Sequence, residues 1–163
     1  MKLFITALSL QLVTLLSKVF AFMDGKTVAE VSAEQIRELQ SNPGARKVVL
    51  VDVRSEEEIS VSKIPDAMTR DEFESSFENY RDHVVIAYCT IGGRSLLYAR
   101  QLSKRGVDSR NFKSGIIGWC EARLQLQSPE GSETRRVHTY SSMYHVPSEF
   151  EQITSTKQRD ENC

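Results

Sequence analysis

The chemistry of this chain centres on Cys89, because of the residues that follow it: Thr90-Ile91-Gly92-Gly93-Arg94-Ser95. Cys89 ends the apolar run Val84-Val85-Ile86-Ala87-Tyr88. It precedes a segment of helical pattern carrying Leu96, Leu97, Ala99 and Leu102. A thiol between a strand end and a helix start is favoured as thiolate by the positive end of the helix dipole and by the amides of the intervening loop. Gly92 and Gly93 let such a loop curl its amides inward around one sulfur, at backbone angles that side chains resist. Arg94 adds a permanent positive charge. The expectation is a nucleophilic cysteine with an anion-holding loop formed by Thr90, Ile91, Gly92, Gly93, Arg94 and Ser95. The plainer alternatives are a buried structural cysteine and, for Arg94, a salt bridge on the helix.

Such a loop needs a parallel sheet behind it, and the sequence supplies one. Lys47–Val53 and Val84–Tyr88 are continuous apolar runs rich in valine and isoleucine, as expected of strands buried on both faces. Three capping-box pairs mark helix starts between the strands: Ser32 with Gln35, Ser55 with Glu58, and Thr69 with Glu72. Val31 and Ile36 would staple the first of these helices, which Asn42-Pro43-Gly44 would close with a turn. Phe73, Phe77 and Tyr80 would share one side of the third, and Gly106 is placed to end the helix after Cys89. A short segment at Asn111-Phe112, a glycine-containing turn, and Trp119 with Leu124 and Leu126 complete the compact part. Alternating β and α segments of this size predict an α/β fold with a central parallel sheet and helices on both faces. In an open sheet of that kind, ligands bind beyond the carboxyl ends of the strands, where Cys89 would stand.

The chain of 163 residues suits one domain, and its hydrophobic and charged fractions, 40% and 26%, suit a globular core. A net charge of -1 lacks the basic footprint of a nucleic-acid binder. Three widely spaced cysteines and three histidines form no disulfide framework and no metal pattern, so neither a metal nor an organic cofactor is called for. Residues 1–25 form an apolar segment with three readings, of which the first is favoured. Ile5, Leu8, Leu12, Leu15 and Val19 recur at helical spacing, with Thr6, Ser9, Gln11, Thr14, Ser17 and Lys18 off that face. This predicts an amphipathic helix that docks or lies on a membrane surface through residues 3–22, in a chain kept in the cytoplasm. The alternative readings are an export leader cleaved after Ala21, formed by Lys2, the run Leu3–Leu16 and Val19-Phe20-Ala21, and a spanning anchor, in which Gln11 and Lys18 would sit awkwardly in lipid. The main domain is expected at 26–128. A polar extension follows at 129–163, with Tyr140, Tyr144 and Val146 folding back and fraying from residue 151.

Cys89-Thr90-Ile91-Gly92-Gly93-Arg94-Ser95 resembles the Cys-x-x-Gly-x-Arg-Ser loop of single-domain rhodaneses, a family of sulfurtransferases. Val51-Asp52-Val53-Arg54-Ser55-Glu56-Glu57-Glu58 is similar to the family's Asp-Val-Arg strand end and acidic helix. Ile64-Pro65-Asp66-Ala67 resembles its Ile-Pro-Gly-Ala turn, and Ser114-Gly115-Ile116-Ile117-Gly118-Trp119 its closing segment. Lys63, Asp66 and Ser114 depart from the family's usual His, Gly and Gly. The resemblance, over about residues 28–126, implies a rhodanese-like fold and a Cys89 persulfide. Sulfur would pass from thiosulfate or a small persulfide to a thiol or cyanide, with a protein acceptor as a further partner. Asp52 and Arg54 would organise the strand end, as a local ion pair or closer to the sulfur. Trp119 is read as core, and Cys120 as buried rather than as a resolving thiol. The uncharged Thr90 and Ile91 stand where relatives that handle thiosulfate well tend to carry basic residues. Two rivals remain: a non-catalytic or sulfur-carrying regulatory module, and a dual-specificity-type phosphatase. The latter resembles Cys-x5-Arg, and Cys89 to Arg94 is one residue shorter.

Overall fold

The computed structural model describes residues 27–42 and 46–154. The apolar segment 1–25, most of the Asn42-Pro43-Gly44 turn and residues 155–163 lie outside the described residues. No helix among the described residues is long and apolar enough to cross a membrane.

Five parallel strands form the central sheet: β1 (Ala29–Val31), β2 (Val48–Asp52), β3 (Met68–Thr69), β4 (Val84–Tyr88) and β5 (Asp108–Phe112), in the order β1-β5-β4-β2-β3. The register sets Asp52 of β2 beside Tyr88 of β4, so both strands end at the same level. Alternate residues of the central strands feed two separate cores. Leu50, Ile86 and Tyr88 face one side, with Ile36 of α1 (Ala33–Ser41) and Ile116 and Trp119 of α5 (Gly115–Glu121). Val49, Val51, Val85 and Ala87 face the other. There they meet Phe73 of α3 (Arg70–Ser75) and Tyr98, Ala99 and Leu102 of α4 (Gly93–Lys104). Each of these fully buried large side chains contributes about 1.5–3 kcal/mol relative to exposure. This two-faced burial explains why β2 and β4 read as unbroken apolar runs.

The local signals act as written. All three capping boxes form, at the starts of α1, α2 (Glu56–Ile59) and α3. Gly106, at φ +85, lets the Gly106 and Val107 amides reach back to the Ser103 and Leu102 carbonyls and close α4. The helix carrying Phe73 is shorter than its pattern: it breaks at Ser76, and Phe77–Tyr80 continue as a 3-10 turn. Phe73 still meets both the Phe77 and the Tyr80 ring. Leu97 lies on the outer side of α4 and is exposed. The glycine-containing turn before Trp119 is in fact the helix α5, whose two glycines and seven residues hide its period.

Residues beyond 126 return to the same core. β6 (Leu126–Gln127) pairs with β7 (Glu133–Thr134), and β8 (Arg136–His138) runs parallel to β9 (Glu151–Ile153). Val137 and Phe150 are buried with Ile36 and Tyr88, and Val146 packs against them. The expectation of fraying from residue 151 is therefore corrected for 151–154, because Ile153 is buried and its carbonyl accepts the Thr139 amide at 3.1 Å. Backbone pairing and burial outweigh the polar composition there.

Beneath the carboxyl end of the sheet lies a fully buried ion pair. Arg54 Nη2 meets Asp52 Oδ2 at 2.7 Å, Nε donates to Oδ1 at 3.0 Å, and Nη2 also donates to the Ser62 carbonyl at 2.7 Å. Burial opposes the charge, but Asp52 more than offsets it and holds Arg54 above the ordinary arginine range. Of the two sequence readings for this pair, the local ion pair is the one formed. Replacing one member with an apolar residue strands the other charge. Arg54→Leu is expected to cost about 3–5 kcal/mol in urea denaturation. A loss below about 1 kcal/mol would mean that Asp52 finds other compensation.

Candidate active site

Cys89 follows β4 directly and is 1% exposed. Its backbone is held from outside: the Ile116 amide donates to the Cys89 carbonyl at 2.9 Å, and the Ile117 amide to the Thr90 carbonyl at 3.3 Å. With the carbonyls drawn toward α5, the loop's amides turn the other way, onto the sulfur. Gly92 N–H lies 3.1 Å from Cys89 Sγ, and Ser95 Oγ lies 3.6 Å from it. Burial pushes the Cys89 thiol up. The amides of Ser95, Ile91 and Gly92 more than reverse this, leaving its pKa below the ordinary thiol value. The Ser95 hydroxyl donates to Asn111 Oδ1 of β5 at 2.7 Å, which positions the residue, so its amide is the stronger donor to the sulfur.

The two glycines of the loop do different work. Gly92 sits at φ +89 with the Lys113 backbone against it, so an added Cβ would lie 2.0 Å from the Lys113 carbonyl oxygen. Gly93 is the first residue of α4, its φ is not positive, and a Cβ there would meet nothing within 4 Å. The expectation that both glycines are sterically required is corrected to Gly92 alone. Gly115 is a second close approach at the site: at φ +55, its Cβ would lie 2.2 Å from the Cys89 carbonyl oxygen.

Arg94 does not stand free. Its Nη1 and Nη2 fork onto the two oxygens of Glu58 at 2.7 Å each, and Nη2 also reaches Thr90 Oγ1 at 2.9 Å. Thr90 Oγ1 donates to Glu58 at 2.7 Å, so Thr90 serves this network with its side chain. Burial would raise the Glu58 pKa, but Arg94, the Ser55 amide and Thr90 pull it down to about 2. The charge of a Cys89 thiolate also bears on Arg94, after the larger effect of Glu58. Of the predicted loop, Ile91, Gly92 and Ser95 thus face the sulfur through their amides, while Thr90 and Arg94 form the wall beside it.

Glu58, Asn111 and Gly115 are the residues around the cysteine that the sequence reading did not assign to the site. Glu58 gave a signal as a capping-box residue, and Gly115 lay within the closing motif. Asn111 gave none beyond its place in a short segment with Phe112. Trp119 is core, with its ring edge-on to Phe112 and Nε1 donating to the Gln125 carbonyl. Cys120 is buried, and burial pushes its thiol up to about 12.

A five-stranded parallel sheet with a buried cysteine ringed by loop amides at the carboxyl end of β4 can be set beside known proteins. Residues 32–122 match the model of the rhodanese-like domain, more than half of the chain, and the chain belongs to that family. It is 31% identical over 108 residues to a sulfurtransferase of Allochromatium vinosum, covering 64% of this chain and 99% of that protein. It is 38% identical over 80 residues to a tRNA sulfurtransferase of Desulfurococcus amylolyticus, where the match covers 48% of this chain and 16% of the relative. The solved thiosulfate sulfurtransferase of Pseudomonas aeruginosa shares the fold, with TM-score 0.53 and 23% identity over 62% of this chain and 20% of that one.

The glycines give a direct test of this geometry. Gly92→Ala is expected to lower the thermal midpoint by several degrees and to slow alkylation of Cys89 at least tenfold, through backbone strain and collision with Lys113. Gly93→Ala should leave both unchanged. Equal effects from the two substitutions would contradict the assignment.

Proposed function

We propose that this protein is a sulfurtransferase that carries sulfane sulfur on Cys89 as a persulfide. The observation that carries this reading is the ring of donors from Ile91, Gly92 and Ser95 around the Cys89 sulfur, which lowers its pKa despite burial. In the first step the Cys89 thiolate attacks the outer sulfur of a donor. A Cys89 S–S bond forms, the donor's own sulfur bond breaks, and its electron pair leaves on sulfite or on a thiolate. The new terminal sulfur inherits the negative charge, and the amides that served the thiolate would serve it in turn, as in an oxyanion hole. In the second step an acceptor thiolate or cyanide attacks that sulfur, and the Cys89 thiolate returns.

The pairing of Arg94 bears on which donor is used. Its guanidinium is largely neutralised by Glu58, so little charge remains to attract a dianion such as thiosulfate. A persulfide donor of lower charge suits the site better. The same fork counts against a cysteine phosphatase, which needs that guanidinium for the phosphoryl oxygens.

Intact-mass measurement after incubation with a donor is the test. The wild type should gain 32 Da (~32, one sulfur atom) with a small persulfide and to a lesser extent with thiosulfate, and Cys89→Ser should gain nothing. No adduct from any sulfane donor would remove the enzyme reading. Hydrolysis of an aryl phosphate through Cys89, without sulfur uptake, would favour the phosphatase.

A further inference from the structure

We propose that Tyr140 is a specificity-determining residue of the Cys89 site, and that its exposed ring receives the aromatic or planar apolar body of an organic thiol acceptor. This inference rests on the reading of Cys89 as the sulfur carrier. Tyr140 lies outside residues 32–122, the part of the chain that matches the family's domain, so it is a feature of the extension.

Three observations converge on it. First, its backbone is strained. Tyr140 is at φ +65, and the Ser141 amide donates to the Thr139 carbonyl at 2.7 Å, which makes Tyr140 the centre of a tight three-residue turn of the rare, strained kind. An aromatic residue in that region costs of order 1–3 kcal/mol, and such strain persists only where the surroundings over-determine it.

Second, the surroundings do over-determine it. The Tyr140 amide donates to Nδ1 of the buried His138 at 3.1 Å, and the Thr139 amide is tied to Ile153 of β9. Gln152 Nε2 lies 2.7 Å from Thr139 Oγ1 and 2.6 Å from the Tyr144 carbonyl, which locks both sides of the turn. The ring itself gains little from this, being 66% exposed. A buried network thus holds an exposed aromatic side chain in an unfavourable backbone conformation, which is the signature of a functional position rather than of a packing one.

Third, the ring stands at the site. The Arg94 guanidinium carbon lies 5.5 Å from its centroid, and that guanidinium borders the Cys89 sulfur. Arg94 takes one face of the ring and leaves the rest open. On the loop itself Ile91 is also exposed, at 45%, although its amide points to the sulfur. Two exposed apolar surfaces, the Tyr140 ring and Ile91, thus belong to residues in contact with the Cys89 loop and its arginine. An inorganic ion has no use for either, whereas the body of an aryl or planar thiol stacks on an aromatic face with a gain of about 0.5–1.5 kcal/mol beyond its area.

The test uses the full chain loaded with sulfur, with benzyl mercaptan and cyanide as rival acceptors. Tyr140→Ala is expected to raise KM for benzyl mercaptan about tenfold while kcat changes less than twofold. The benzyl mercaptan to cyanide ratio of kcat/KM then falls about tenfold, equivalent to about 1.4 kcal/mol. Tyr140→Phe, which keeps the ring, should keep the wild-type ratio. Tyr140→Gly adopts the positive φ without strain and should reproduce the alanine result even if alanine impairs folding. An unchanged ratio in the alanine and glycine variants, or a phenylalanine variant that behaves like alanine, overturns the proposal. Sulfur uptake, followed by mass on the same samples, separates the two claims. Uptake with an unchanged ratio defeats the role of Tyr140 alone, and no uptake by the wild type defeats the Cys89 reading together with it.

Discussion

Two amides of α5, from Ile116 and Ile117, hold the carbonyls of Cys89 and Thr90, and the character of the site follows from that attachment. A short loop between a strand and a helix carries as many carbonyls as amides, and a sulfur anion is stabilised only if the carbonyls are directed away from it. Here the carbonyls are drawn to a neighbouring helix, so the amides of Ile91, Gly92 and Ser95 are left to face Sγ. The constraint explains two of the glycines at which a side chain would not fit. Gly92 has no room for a Cβ against Lys113, and Gly115 has none against Cys89 and Thr90, because the two chain segments must touch through their backbones.

The rest of the structure keeps that contact in place. The parallel register brings Asp52 and Tyr88 to one level, and the Val53 amide continues the pairing onto the Tyr88 carbonyl at 3.0 Å. The Asp52–Arg54 pair then fixes the loop after β2, from which Ser55 starts α2 and presents Glu58. Glu58 is the hinge between scaffold and site. One carboxylate caps its own helix through Ser55 and binds Arg94 and Thr90 across 36 and 32 positions of sequence. That chain of contacts has a chemical consequence. The cation nearest the sulfur is spoken for, so the site stabilises a small negative charge through dipoles more than through a free positive group.

Much of this was legible in the residues, and the part that was not has a common cause. Helix starts depend on pairs three residues apart, so Ser32 with Gln35, Ser55 with Glu58 and Thr69 with Glu72 could be read directly. Buried strands depend on composition over five residues, and Val48–Asp52 and Val84–Tyr88 were equally plain. Gly106 was readable because its role is fixed by its distance from the helix end. Asp66 is instructive: it stands where the family carries glycine, and it keeps the glycine-like conformation at φ +60, with Lys63 Nζ donating to the Ala67 carbonyl to close the turn. What escaped depends on contacts between distant segments. Gly92 and Gly93 look alike in sequence, and only Lys113 distinguishes them. Arg94 could be read as free for an anion or as a salt-bridge partner, and only Glu58 decides between them. Tyr140 was expected to fold back on the domain, but nothing in its polar stretch showed that its ring meets Arg94.

The proposed chemistry requires position 89 to favour a negative charge. The most direct measurement is the thiol titration of Cys89, followed by thiolate absorbance or by alkylation rate against pH in a Cys120→Ser, Cys163→Ser background. Because its folded pKa is lowered, the thiolate should persist below the ordinary thiol range, and reactivity should fall only as pH drops through that lower value. A midpoint at or above the value of an unperturbed thiol, about 8.5, would mean that burial prevails over the amides, and the proposed chemistry would lose its basis.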